Sequence, residues 1–232
     1  MSELIKVIVV IGIRRFSRAG YSVALVARNA DSVNKLAQEL TAAGGHASPF
    51  PAESYSPKDI NAAWSAIRSK YPSPRFIISA AVFNAAHGVW KPFLDVTQED
   101  IRSSLDVNIE AAFAFSREAI LTFKKNEILE PVGKKGTLIF TGATASIRGN
   151  ITTSTFAAGK HGLRALSQSL AKEFGKENIH VAHAIIDGVI RSERTLERFP
   201  DLEGKPDSAL TPESIAEVQL LLRRLSDAYR DY

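Results

Sequence analysis

The residues best placed to do chemistry lie in one stretch, Gly136 to Ser169, GTLIFTGATASIRGNITTSTFAAGKHGLRALSQS. Thr137 to Thr141 is a short apolar run bounded by Gly136 and Gly142. Its β-branched and aromatic residues read as a buried strand. A loop of small residues follows, with hydroxyls at Thr144 and Ser146. From Phe156 to Lys172 apolar residues recur at helical spacing, at Phe156, Leu163, Leu166 and Leu170. Phe156 and Lys160 are four apart and share one helix face. A lysine one turn after an aromatic, at the mouth of a strand–loop–helix unit, suggests a ligand contact. Read alone, a helix lysine is ordinarily a solvated surface residue.

Composition bounds the elements that must hold these residues. A chain of 232 residues with 45% hydrophobic and 23% charged residues suits one large globular domain, spanning residues 1–232. The net charge is +4, but the basic residues are scattered, which argues against a nucleic-acid footprint. Without cysteine there is no disulfide framework and no thiolate metal site. No apolar run approaches the roughly 20 residues that cross a membrane. The N-terminal apolar run reads as a first strand and not as a signal peptide, so the expected location is the cytoplasm.

Strand-like runs fall at Lys6–Ile11, Tyr21–Ala27, His46–Pro51, Phe76–Phe83, Thr137–Thr141 and Val181–Ile186. Helical patterns separate them. Asp31 is the expected N-cap of the first, which Gly44-Gly45 stop. A second covers Pro57 to Lys70. Thr97 caps a long third helix, with Glu99 and Asp100 in its first turn, running to about Phe123. Thr211 and Pro212 start the last. Strand and helix alternate as in right-handed βαβ units, so the fold class is α/β: a Rossmann-type doubly wound parallel sheet in three layers, α/β/α. Ligands of such sheets sit beyond the carboxyl ends of the strands. The residues there are Gly12, Arg28, Glu53, Asn84, Gly142 and Asp187.

The pieces GYSVALVAR (20–28), VFNAAHG (82–88), SLDVN (104–108), GTLIFTGATAS (136–146), FAAGKHGLRALSQSLAKE (156–173) and IHVAHAIIDG (179–188) together resemble the short-chain dehydrogenase/reductase family. The resemblance implies an oxidoreductase acting on a carbonyl/alcohol pair of a small-molecule substrate, with a nicotinamide dinucleotide bound. It also implies a homodimer or homotetramer. By position, Asn84 with Ala85 supports the cofactor pocket, Asn108 helps hold a catalytic water, and Lys160 binds the nicotinamide ribose. Asp187, Gly188 and Ile190 follow the sixth strand on the cofactor side. Read without the resemblance, Asn84 is a strand-end cap and Asn108 a polar group at a helix kink. An acidic residue at the end of the second strand would accept the ribose hydroxyls of NAD(H). Arg28 stands there instead, which favours the extra phosphate of NADP(H).

The departures are as informative. Between Gly12 and Gly20 lie only the seven residues 13–19, where the family has a glycine-rich phosphate loop and a helix. A helix of that length spans about 10 Å, and a usual crossover needs about 10–12 residues or more. Arg14 and Arg15 bring positive charge to this piece. The family's tyrosine position is Phe156 and its serine position is Ala143. Phe has no proton to give. His87 and Asp187 are the candidate replacements for proton transfer; otherwise His87 pairs locally and Asp187 caps a turn. These losses leave a second reading open, a non-catalytic chain of the same fold that binds a ligand or partner without turnover. No seventh strand is expected, and Val218, Leu221, Leu222 and Leu225 form an amphipathic last helix, with Arg223 and Arg224 beside it.

Overall fold

A computed structural model describes residues 4–10, 19–191, 193–202, 204–205 and 208–224. Six parallel strands, β1 (Ile5–Val10), β2 (Ser22–Ala27), β3 (His46–Pro51), β4 (Phe76–Phe83), β5 (Gly136–Ala143) and β6 (Ile179–Ile186), form one sheet in the order β3-β2-β1-β4-β5-β6. The helices are α1 (Ala30–Ala42), α2 (Pro57–Lys70), α3 (Gln98–Leu105), α4 (Ala111–Phe123), α5 (Ser154–Phe174), α6 (Glu193–Arg198) and α7 (Pro212–Arg224).

The strand sequences leave no face for water. Val7 to Val10, Ala80 to Phe83 and Leu138 to Phe140 are all unexposed, so helices must cover both sides. On one side Trp64, Phe83, Phe115, Phe123, Phe140 and Leu163 pack under α2, α4 and α5. On the other, Ile8, Val10, Leu25, Val33, Leu40 and Ile139 pack under α1, with Leu220 and Leu222 of α7 against them. This is the expected doubly wound, three-layer arrangement. The strand order reverses between β1 and β4, which opens a crevice at their carboxyl ends.

Local signals hold in part. Thr97 caps α3 in a full capping box with Asp100. The N-cap of α1 is Asn29 and not Asp31: the Asn29 carboxamide accepts the Ser32 N–H, and Asp31 falls in the first turn. The long third helix is interrupted by one π turn, Asp106–Glu110, between α3 and α4. The buried side of α7 also differs from expectation. Val218 and Leu221 are exposed, whereas Ile215, Ala216, Gln219 and Arg223 are buried. The reason is polar: the Gln219 amide donates to the Thr141 hydroxyl at 2.9 Å, and Arg223 donates to Ser79 while its guanidinium lies 4.6 Å from the centre of the Tyr21 ring. Leu225 lies outside the described residues.

Gly136 begins β5 directly under the Phe123 ring, where a Cβ would land on the ring atoms. Phe123 is itself unexposed and has nowhere to retreat. Gly136→Ala is expected to lower the unfolding free energy by about 1–3 kcal/mol, read from the urea midpoint. An unchanged midpoint would show that the ring has room to move.

Candidate active site

The geometry starts with a close helix contact. A Cβ on Gly159 would press on the Asn108 side chain, and one on Gly162 would strike Ile109. Glycine at these positions lets α5 lie against the π turn, and so sets Lys160 and Phe156 relative to β5. Asn108 is unexposed. Its amide donates to the backbone oxygen of His87 at 2.7 Å and of Ser104 at 2.9 Å, tying the segment after β4 to α3. A π turn at a polar residue of this kind is a recurrent feature of functional sites.

Lys160 is not the solvated lysine its sequence type suggests. It is 3% exposed, and its Nζ donates to the Thr141 backbone oxygen at 2.9 Å. Burial pulls its pKa from 10.5 down to about 8, because desolvation disfavours the charged form. Nζ lies 5.9 Å from the centre of the Phe156 ring. Phe156 is half-buried and packs on Trp90, ring centres 5.2 Å apart. Gly88 keeps this pair together, since a Cβ there would collide with the Trp90 ring.

Phe156, Trp90 and Ala143 line a cleft of about 500 Å³ with Thr144, Arg148, Asp187 and Gly188. The Thr144 hydroxyl donates to the Asp187 carboxylate. Beneath it, unexposed Ser146 accepts the Ala143 N–H and meets His183 Nε2, both at 3.1 Å. Burial, then the charges of Lys160 and Arg164, push the His183 pKa from 6.5 down to about 4, so the imidazole is neutral near pH 7. The sequence reading passed over His183 because a histidine inside a strand carries no site signal. Only the β5–β6 register, Phe140 opposite His183, sets it over Gly142.

A second cleft, about 290 Å³, lies at the ends of β2, β3 and β4 and is lined by Arg28, Ser54, Tyr55, His87, Asp106 and Glu110 among others. The Arg28 guanidinium stacks 4.9 Å from the centre of the Tyr55 ring. Burial raises the Tyr55 phenol pKa, and Arg28 opposes the rise.

The structure therefore separates the two candidate proton carriers. Asp187 lines the Phe156 cleft, and His87 lines the Arg28 cleft instead. Glu53 is exposed and lines a groove between β3 and α2, while Ser54 and Tyr55 take the crevice side. Asn84 is half-buried at the end of β4, and Ala85 beside it is buried. Ile190 pairs with Leu210 in an isolated bridge beyond β6. Gly12, with Arg14 and Arg15, lies outside the described residues. A larger cleft of about 910 Å³ opens at the amino-terminal edge of the sheet, beside Lys6, Ser22, His46 and Arg75, and holds none of these candidates. Among the described residues no group of acidic or histidine side chains is arranged to hold a metal ion.

A family model described as short chain dehydrogenase matches residues 12–203. The 3-oxoacyl-[acyl-carrier-protein] reductase of Bos taurus is 26% identical over 182 residues, covering 78% of this chain and 70% of that protein. A short-chain dehydrogenase structure from Rhodopseudomonas palustris is 29% identical with a TM-score of 0.66, covering 89% of this chain and 95% of that one. A metagenomic short-chain oxidoreductase solved in complex with NADP shares the fold with a TM-score of 0.75 at 20% identity, covering 96% of this chain and 91% of its own.

The two buried bases give pH signatures of the same sign at opposite ends of the scale: each makes the fold more stable as pH rises through its window. Folded Lys160 releases its proton at about 8, the unfolded chain near 10.5. The unfolded state thus holds more protons in between, and stability rises with pH across that window, by at most about 1.4 kcal/mol per pH unit. Lys160→Met should remove that rise, measured as the difference in urea midpoint between the two proteins from pH 8 to 9.5. At the acid end His183 takes its proton in the unfolded chain at 6.5 but in the folded one only at about 4. Stability should fall as pH drops from 6.5 towards 4, and less steeply in His183→Asn. Parallel curves for wild type and variant would contradict either assignment.

Proposed function

Because the chain belongs to the short-chain dehydrogenase family, we propose that it is an NADP(H)-dependent oxidoreductase acting on a carbonyl/alcohol pair of a small molecule. Its proton carrier is Asp187, in place of the family's tyrosine. The observation that carries this reading is the pairing of Asp187 with Thr144 in the same cleft as Phe156 and Ala143, the positions where the family's own proton-handling groups stand.

Arg28 fits the phosphate at the adenosine end of NADP(H), with Asp106 and Glu110 also lining its cleft. A guanidinium takes a phosphate through several N–H donors, and no carboxylate stands at the end of β2. Tyr55 braces Arg28, while the Ser54 hydroxyl donates to Asp59 and the Ser56 hydroxyl accepts the Asp59 N–H, so Arg28 is the donor left for the phosphate. When bound, the nicotinamide would supply or take the hydride. The chain's own part is to bind, orient and handle the proton. Asp187, as a carboxylate, suits the alcohol-oxidising direction, where it accepts the hydroxyl proton as a general base. Thr144 orients that carboxylate. Lys160 contributes a positive charge about 6 Å behind the Phe156 ring, with Thr141 holding it in place. Cytoplasmic location and assembly into a homodimer or homotetramer belong to the same proposal, the latter by family analogy; no helix among the described residues is long and apolar enough to cross a membrane.

One observation favours the second reading, a binding protein without turnover. Phe156, at the position the resemblance gives to the tyrosine, has no acidic proton, and Trp90 packs against its ring. Titration with NADPH and NADH by fluorescence, followed by oxidation of a panel of secondary alcohols with NADP, separates the two. We expect saturable NADPH binding that Arg28→Glu weakens at least about tenfold while NADH binding is little changed. Asp187→Asn should lower the turnover rate by about 10²–10⁴ with NADPH affinity unchanged. Binding without turnover supports the second reading, and no binding of either nucleotide removes the first and leaves the second.

A further inference from the structure

We propose that the Phe156 cleft is built for an uncharged ligand with a flat aromatic body, stacked on the Trp90–Phe156 pair. The proposal rests on the small-molecule reading above and adds the class of molecule. Three observations carry it. First, the ring at the tyrosine position is kept and doubled. Trp90 lies 5.2 Å from Phe156 at an interplanar angle of 40°, and Trp90 is 50% exposed, so ring surface remains for a third partner. The apolar part of the remaining wall is Ala143, Ala145, Ile186 and Val189. Offset aromatic stacking adds about 0.5–1.5 kcal/mol to the burial of the ring itself.

Second, several polar side chains of the cleft are already committed to each other. Thr144 donates to Asp187. Asn150 Oδ1 accepts the Ile151 N–H, and the Thr153 hydroxyl accepts the Asn150 N–H and donates to the Asn150 carbonyl. These bonds turn hydrogen-bonding capacity inwards and leave an apolar surface. Third, one cation, Arg148, and one anion, Asp187, line the cleft. Their charges cancel, so the lining itself has no net sign with which to select an ion, and the Lys160 ammonium lies behind the Phe156 ring on the Thr141 carbonyl. Its volume, about 500 Å³, lies within the range of small-ligand sites.

The two tryptophans make the test direct. Trp64 is unexposed in the core, so emission reached by a solution quencher belongs to Trp90. The full chain, without cofactor, is titrated calorimetrically with 2-acetylnaphthalene and with dodecan-2-one, ketones of equal heavy-atom count. The flat ketone should bind about tenfold more tightly. Trp90→Leu should weaken it about three- to tenfold, the size of one stacking contact, and leave dodecan-2-one unaffected. Saturating 2-acetylnaphthalene should also reduce acrylamide quenching of the wild-type protein. Equal affinities, no binding of either ketone, indifference to Trp90→Leu, or unchanged quenching would overturn the proposal. Because the readout is binding, its fate is separate from that of the oxidoreductase reading. Selective binding without turnover leaves this inference standing alone, and turnover of both ketones without preference leaves only the oxidoreductase.

Discussion

The constraint on which the molecule rests is the two-sided burial of a parallel sheet. β1, β4 and β5 carry apolar residues at successive positions, and their central residues have no exposure at all. Such strands are stable only between two helix layers, and right-handed crossovers then bring every carboxyl end to one edge. Strand order reverses between β1 and β4, so that edge is divided into a cleft beside β2 and β3 and another beside β5 and β6. The location of any site is therefore a consequence of core packing, before a single functional side chain is considered.

In the proposed function the chemistry on that frame is altered with little change of shape. On the proposed reading Phe156 keeps the ring of the family's tyrosine without the phenol, and Ala143 keeps the backbone of its serine position without the hydroxyl. Lys160 remains, now held on the Thr141 carbonyl and desolvated enough to bring its pKa to about 8. A buried ammonium held on a carbonyl costs stability, and among the described residues no carboxylate is paired with Lys160 to offset it. Gly159 and Gly162 explain how α5 keeps its position through these changes, since both allow the helix to lie directly on the π turn at Asn108.

Much of the fold was legible because it depends on periodicity. Continuous apolar runs marked the strands to within a few residues, and the Thr97–Asp100 box marked a helix start. The misreadings share a cause: they concern choices between neighbouring residues that only three-dimensional partners decide. Asn29 and Asp31 are both good caps, and the geometry of the turn after β2 selected the first. The face of α7 was misjudged because its buried groups, Gln219 and Arg223, are polar and find partners on β4 and β5. In the site, strand ends identified Arg28, Gly142 and Asp187 as neighbours of the crevice. They could not tell which side of the crevice each faces, so His87 and Asp187 stood together as proton carriers and Glu53 counted among the crevice residues. Tyr55, Trp90 and His183 were missed because their roles depend on stacking and strand register, which leave no mark in a linear pattern.

The central claim is that a dinucleotide crevice persists at the carboxyl edge, with Arg28 reading a phosphate, although the proton-handling side chains have changed. Phosphorus NMR of NADP with the full chain tests it most directly, because the 2′-phosphate gives its own resonance. That resonance should shift and broaden as protein is added, with the pyrophosphate signals responding too. A 2′-phosphate line that stays at its free position and width in excess protein would contradict the account.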